Sequence, residues 1–370
     1  MRLTALELSR WRNVARASLS CDSRFVVLHG DNGQGKTNVL EAVWVLATLR
    51  SFRESRPRRL VQHGADIATI RAVSSGPAGT RRLQWRLEGG QRNLRVDGGP
   101  PTSLLAWFEL VRAVLFVPEH QSIVRGEPAA RRAFIDRAAF TARPAFLDHA
   151  RDYRRVLRQK AALLRSGRAD VARLRAWDEQ LAALGARVAV ARWQVLQELQ
   201  EPFRTMHARI AGKGEEAGHV RLAMRSLGGE EAGVDEVHRR LAAALAAHRE
   251  DELRRGRVLV GPHRDDVLIE LNGRLARHYA SQGQARSIVL ALKLAELDAA
   301  RARGEAPMLL VDDLTSELDR GRMERFVEVL AGLDNQVWMT TTDPAWLGPL
   351  PGENAIRVRV VGGTLKATSG

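Results

Sequence analysis

The sequence predicts an α/β fold: a mainly parallel sheet built from both ends of the chain, with a helical insertion between its halves. Three observations carry this. Apolar strand-like runs alternate with helical patterns near both ends. A glycine-rich turn at residues 30–37 stands between one such run and a helix pattern. Residues 129–210 are mostly helix formers, with apolar side chains spaced by threes and fours. The chain has 370 residues, 45% hydrophobic and 27% charged, an ordinary globular balance with room for two domains. The predicted division is a head from 1–118 with 258–370, and an arm from 119–257.

Taken in order, Leu6 and Leu8 alternate with polar neighbours, and Phe25, Val26, Val27 and Leu28 form a compact apolar run. The turn follows, and residues 39–49 read as a helix. Strand-like runs recur at 67–73, 83–87 and 111–117, separated by turn signals such as Asp97-Gly98-Gly99-Pro100-Pro101. In the arm, Leu174, Trp177, Leu181, Leu184, Val188, Ala191 and Val195 form an a/d seam three heptads long. Phe146, Ala150, Tyr153, Leu157, Ala161 and Leu164 repeat the spacing, and Ser166-Gly167 between the two suits a turn. The expectation is an all-helical domain with a short coiled-coil-like hairpin. Strand texture returns near Val258 and at 267–271, where Asn272-Gly273 predicts a tight turn. A helix over 284–303, a buried strand over 308–311, a helix over 319–333 and a strand over 336–341 complete the pattern.

The strongest local signal is Gly30-Asp31-Asn32-Gly33-Gln34-Gly35-Lys36-Thr37, a full match to G-x-x-x-x-G-K-[ST] between a strand and a helix. Glycines there let backbone N–H groups curl around phosphate oxygens, and the helix N-terminus adds positive potential. Lys36 is expected to reach the β- and γ-phosphates of ATP and Thr37 to hold Mg²⁺. Such a site needs a carboxylate at the end of a buried strand. Met308-Leu309-Leu310-Val311-Asp312-Asp313 supplies Asp312 for the metal and Asp313 to orient or deprotonate the attacking water.

Lys36 and Asp312 are 276 residues apart, which simple kinases and small GTPases do not match. Between them, Ser281-Gln282-Gly283-Gln284 opens a helix. Ser281 and Gln284 make a capping box. The same residues also read as a signature segment presenting the Ser281 hydroxyl, the Gly283 backbone and a helix N-terminus to a nucleotide. Ser316-Glu317-Leu318-Asp319 follows, with Asp319 as a helix N-cap.

Together these motifs resemble the P-loop ATPase heads of the ABC type found in the SMC and RecF group. Further stretches narrow the resemblance to the RecF family: Trp11-Arg12-Asn13, Ser51-Phe52-Arg53 with Ser55-Arg56, Phe116-Val117-Pro118-Glu119, Arg131-Arg132 with Phe134-Ile135-Asp136, and Gly261-Pro262-His263-Arg264-Asp265-Asp266. The departures are small. His120-Gln121 follows Pro118-Glu119, and the segment Thr340-Thr341-Thr342-Asp343 has no His. The resemblance implies a two-fold dimer sandwiching two ATP molecules, with Ser281, Gly283 and Gln284 of one protomer capping the γ-phosphate bound by the other. It also implies weak, DNA-stimulated ATP hydrolysis that gates DNA binding and dimerisation, action at single-strand gaps or stalled forks, and RecR, RecO and RecA as partners.

Charge points to a polyanion. Lys plus Arg is 58 against 43 Asp plus Glu, a net +15. From 125 to 175 there are fourteen basic and five acidic residues, net +9, with Arg151, Arg154 and Arg158 on one helical face. Arg53 and Arg56 belong to a second cluster. Aromatics are only 5%, so contacts to duplex phosphates fit better than stacking on single-stranded bases, with little sequence preference.

The longest stretch without a charged residue is eleven residues, too short for a membrane span. No secretory signal pattern opens the chain, and Cys21 is alone, so cytoplasm is the expected compartment. An SMC-like DNA tether is the alternative, disfavoured by the short arm. A transporter ATPase is disfavoured by the missing switch His and the Arg-rich arm.

Overall fold

The structure is a computed structural model, and it describes residues 1–77, 79–166, 170–212, 218–225, 232–313, 318–348, 350 and 355–368. The chain opens with strands β1 (Arg2–Trp11), β2 (Val14–Ser20) and β3 (Phe25–His29), then helix α1 (Lys36–Thr48). Strands β4 (Ile67–Gly76), β5 (Gly79–Glu88) and β6 (Gln91–Val96), helix α2 (Leu104–Leu110) and strand β7 (Ala113–Phe116) follow. A helical run comes next: α3 (Ser122–Arg125), α4 (Pro128–Ala142), α5 (Phe146–Arg165) and α6 (Val171–Ala211). Strand β8 (Val220–Arg225), helices α7 (Val234–Ala247) and α8 (Arg249–Arg255), strands β9 (Asp266–Leu271) and β10 (Arg274–Leu275) and helix α9 (Ala276–Tyr279) lead to α10 (Gln282–Ala302). The chain ends with β11 (Met308–Val311), α11 (Arg320–Ala331), β12 (Val337–Thr341), β13 (Ala355–Val361) and β14 (Thr364–Thr368).

Two compact units form: Met1–His120 with Thr205–Ala217 and Gln282–Gly370, and Gln121–Arg204 with Gly218–Ser281. In the first unit a six-stranded sheet runs β14-β13-β3-β12-β11-β7, parallel except for β14. Phe25, Val26, Val27 and Leu28 are fully buried, as a central parallel strand covered on both faces requires. Helix α1 is covered nearly all round, with eleven of its thirteen residues buried. A second, antiparallel sheet runs β2-β1-β4-β5-β6, and its inward positions Leu83, Trp85 and Leu87 alternate with polar outward ones.

The second unit departs from the sequence expectation in three places. The stretch 119–257, expected to be all helical, contains one strand, β8, which pairs with β9; β9 and β10 lie beyond that stretch, and β9 is the strand expected over 267–271. The segment Val220–Arg225 consists largely of helix formers, and pairing with β9 overrides their propensity. The strand texture near Val258 is loop: Gly256 and Gly261 take left-handed φ of 61° and 132°, and a short 3₁₀ turn follows at Pro262–Arg264. Finally, the a/d seam is half of a broader buried face. Leu174, Leu181, Val188 and Val195 are buried, but so are Asp178, Ala182, Ala186, Arg192 and Leu196. The burial is that of a helix in a globular core, wider than a two-stranded seam. Gly185 permits the close approach: a Cβ there would stand 3.2–3.3 Å from Pro262, Leu241 and Tyr153. Gly167 of the expected turn lies outside the described residues.

Ion pairs fill part of this second core. Lys160 is fully buried and its Nζ sits 2.6 Å from Asp178 and 2.5 Å from Glu252, while Arg249 binds the other Asp178 oxygen. Arg131 donates to both carboxylate oxygens of Asp266, at 2.6 and 3.0 Å. Arg192 donates to Asp136 and to the Pro262 carbonyl. Arg131 and Lys160, two of the fourteen basic residues counted in 125–175, are thereby committed inside the unit.

Candidate nucleotide-binding site

The loop 30–37 joins the C-terminal end of β3 to α1, where ligands bind in parallel α/β sheets. Two of its glycines are obligatory. Gly30 has φ 141° and a Cβ there would lie 2.5 Å from the Val360 carbonyl oxygen; Gly35 has φ 109° and a Cβ would meet the Asn13 side chain at 2.7 Å. The loop is braced from outside. Asn13 Nδ2 donates to the Gln34 carbonyl, and the backbone N–H groups of Gly362 and Gly363, in the β13–β14 turn, donate to Gln34 Oε1 and O.

Lys36 curls over the loop, its Nζ donating to the carbonyls of Gly30 at 2.6 Å and Asp31 at 2.9 Å. Burial holds its pKa below the ordinary lysine value, opposed by the nearby Asp313, Asp312 and Asp31. Thr37 Oγ1 donates to Asp312 Oδ1 at 2.9 Å, so the two halves of the sequence motif, 275 residues apart, meet in one hydrogen bond. Thr340 Oγ1 donates to the same oxygen at 2.7 Å and accepts from the Asp313 N–H at 2.9 Å. Burial raises the Asp312 pKa, with the two hydroxyls and the Arg53 charge pulling it down. Asp313 has φ 50°, a left-handed conformation uncommon for a residue with a side chain and typical of functional positions. Lys36, Thr37, Asp312 and Asp313 are thus brought together as expected. The role of Thr340, which was read only as part of a His-less switch segment, emerges from the structure.

A second group of side chains lines the flank of this loop, and of these the sequence assigns a role to Arg53 alone, as a nucleic-acid contact. Glu41, fully buried on α1, accepts from Arg12 Nε at 2.8 Å and Nη2 at 2.7 Å, from Arg53 Nη2 at 3.1 Å, and from Ser51 Oγ. These donors hold the Glu41 pKa below its ordinary value despite burial. Arg53 also donates to Asn38 Oδ1, and Asn38 Nδ2 donates to Asn13. The chain Arg53–Asn38–Asn13–Gln34 therefore links the 51–53 segment to the phosphate loop. A cavity of about 990 Å³ borders it, lined by Arg12, Asn13, Asn38, Arg53, Arg58 and His63 among others. The resemblance motifs around Trp11-Arg12-Asn13 and Ser51-Phe52-Arg53 were the available signal.

Gly283 and Gln284 lie in the first turn of α10, and Ser281 is exposed just before it. Asp319 caps α11, its Oδ1 accepting from the Arg322 N–H. Ser316 and Glu317 lie outside the described residues. Of the candidate nucleic-acid contacts, Arg56, Arg151, Arg154 and Arg158 are exposed. Arg151 pairs with Asp148 and Asp152, and Arg154 with Asp136. Arg53 is turned inward to Glu41 and is one-third exposed.

No protein-family model matches the chain. It is 41% identical over 366 residues to the DNA replication and repair protein RecF of Anaeromyxobacter sp. (strain Fw109-5), covering 98% of each chain. The chain belongs to the RecF family. RecF of Geobacter sulfurreducens is 43% identical over 352 residues, 94% of each chain. Among solved structures, the recombination mediator protein RecF-ATPrS in the RecFOR pathway matches with a TM-score of 0.89 at 26% identity, covering 100% of this chain and 98% of that one. An SMC head bound to the C-winged helix domain of ScpA matches with a TM-score of 0.60 at 14% identity over 100% of this chain and 98% of that one, a likeness of fold. The α/β head of the ABC and SMC type is thereby shown, as is membership of the RecF family.

Proposed function

We propose that this RecF-family chain is an ATP-gated DNA-binding ATPase of recombinational repair and replication. The Thr37–Asp312 hydrogen bond carries the reading, because it unites the phosphate loop with the carboxylate strand. A hydroxyl and a carboxylate at 2.9 Å are the hard oxygen donors Mg²⁺ takes alongside substrate phosphates and water. Held by Thr37 and Asp312, the metal would supply neutralisation of phosphate charge. Lys36, now spending two N–H donors on loop carbonyls, transfers them to phosphate oxygens. Backbone N–H groups of Asp31, Asn32, Gly33, Gln34 and Gly35 line the cradle, and Asp313 orients the attacking water.

Two chains close on two nucleotides, Ser281, Gly283 and Gln284 of each capping the γ-phosphate held by the other. Hydrolysis is slow and releases the pair. The dimer holds duplex DNA beside single-strand gaps or stalled forks through phosphate contacts from Arg56, Arg151, Arg154 and Arg158, without base preference. Arg53 serves the loop flank instead, since Glu41 and Asn38 hold it. RecR and RecO are the proposed partners in loading RecA, in the cytoplasm. The test is nucleotide-dependent DNA retention: a gapped duplex retained with ATP and Mg²⁺ and released with ADP supports the reading. Equal retention in both states contradicts it.

A further inference from the structure

We infer that Arg322 is the positioning residue of the signature segment, tying the first turn of α10 to Asp319 so that Gly283 is held where it caps a nucleotide bound by a second copy. The inference rests on the trans-capping reading above. Arg322 stands in the first turn of α11 with its side chain 12% exposed. Its Nε donates to Ser287 Oγ at 3.0 Å, a buried hydroxyl one turn into α10, and its Nη1 pairs with Asp319. A Cβ on residue 283 would stand 3.0 Å from Arg322 Nη2 and 3.3 Å from Cζ. The missing side chain at Gly283 is what seats the guanidinium. One planar fork therefore spans the starts of two helices, a geometry Lys cannot reproduce.

The electrostatics say more than a simple tie. A cation against the first turn of α10 sits at the positive end of the helix dipole, the unfavourable end. Asp319, whose carboxyl is held below its ordinary pKa by bonding to the Arg322 backbone and guanidinium, offsets that charge in the free chain. A phosphate arriving at Gly283 brings negative charge to the same place. The arrangement is set for an anion, and it connects Asp319, the end of the Ser-x-x-Asp segment, to the signature through a single side chain.

The test uses the full chain with Arg322→Ala, Ser287→Ala, Gly283→Ala and the Arg322→Ala/Gly283→Ala double variant. Fluorescent ATP reports monomer binding, sedimentation reports dimerisation, and thermal melting by circular dichroism reports folding. For Arg322→Ala, the expected outcome is monomer affinity within about twofold of wild type and roughly tenfold more ATP needed for half-maximal dimerisation, the loss of a charge-assisted contact. Ser287→Ala gives a smaller shift in the same direction. Gly283→Ala costs less in the Arg322→Ala background than in wild type, because the seat is then vacant. Wild-type dimerisation in both single variants at Arg322 and Ser287, or a parallel loss of monomer binding and dimerisation, overturns the inference. Should Arg322→Ala fail to fold, Ser287→Ala decides alone. A wild-type chain that stays monomeric with ATP overturns the trans-capping reading, and this inference with it.

Discussion

Arg12 grips Glu41 with two parallel hydrogen bonds of 2.8 and 2.7 Å, tying the β1–β2 turn to the helix that carries the phosphate loop. The carboxylate is fully buried and also receives Arg53 and Ser51. Glu41→Ala strands two guanidiniums around an empty site. Its expected cost is about 3–5 kcal/mol, read as a lower midpoint in urea unfolding. A loss under about 1 kcal/mol would show the cluster to be solvated in solution, like an exposed ion pair.

Asp313→Asn separates binding from chemistry. The N–H that bonds Thr340 is backbone and survives the change. ATP binding and ATP-dependent dimerisation are expected intact, while hydrolysis slows by about 10²-fold or more. Phosphate release at the wild-type rate would move the water-orienting role to another carboxylate, with Glu317 the next candidate.

Two groups in the buried polar core of the second unit titrate in opposite senses. Burial pushes Asp265 up to about 7 and His263 down to about 4. Folded Asp265 keeps its proton to higher pH than the unfolded chain, so its contribution falls as pH rises from about 4 to 7. Folded His263 stays neutral where the unfolded chain is protonated, so its contribution rises from about pH 4 to 6.5. In the intact chain the two oppose each other. Asp265→Asn should therefore steepen the loss of stability on acidification, and His263→Asn should abolish or reverse it. Urea midpoints at pH 4.5, 5.5 and 6.5 check this, and identical pH profiles for the two variants contradict it.

Neutralising Arg151, Arg154 and Arg158 on α5 tests the nucleic-acid face. Each phosphate contact contributes about 0.9 to the slope of log affinity against log salt, so losing two or three should flatten it by about 2–3 units, equally for unrelated duplex sequences. Arg151 and Arg154 must leave Asp148, Asp152 and Asp136 to do so, which favours the lower end. An unchanged slope would make these arginines a solvated, self-paired face.

The parts legible in the sequence were those with local chemistry. The phosphate loop needs glycine at fixed positions, β11 is continuously apolar, and Asn272-Gly273 makes the predicted hairpin, with φ of 52° and 73°. Asp319 caps its helix as read. What sequence could not show depends on distant partners. Strand β8 exists because β9 lies beside it. Lys160 is one of the fourteen basic residues of 125–175, and only the fold shows Asp178 and Glu252 enclosing it. Glu41, Thr340 and Arg322 acquire their roles mainly from residues up to 39 positions away, Arg12, Asp312 and Gly283 among them, which no local pattern reveals.

The central claim is that ATP joins two chains, and sedimentation velocity of the full chain with and without ATP and Mg²⁺ tests it most directly. Lys36→Met is the control, because it removes the Nζ that meets the loop carbonyls and, in the bound state, the phosphates. The wild type should sediment as a monomer alone and as a dimer with ATP and Mg²⁺, and Lys36→Met as a monomer in both. A dimer without nucleotide, or a Lys36→Met chain that dimerises with ATP like the wild type, would contradict the account.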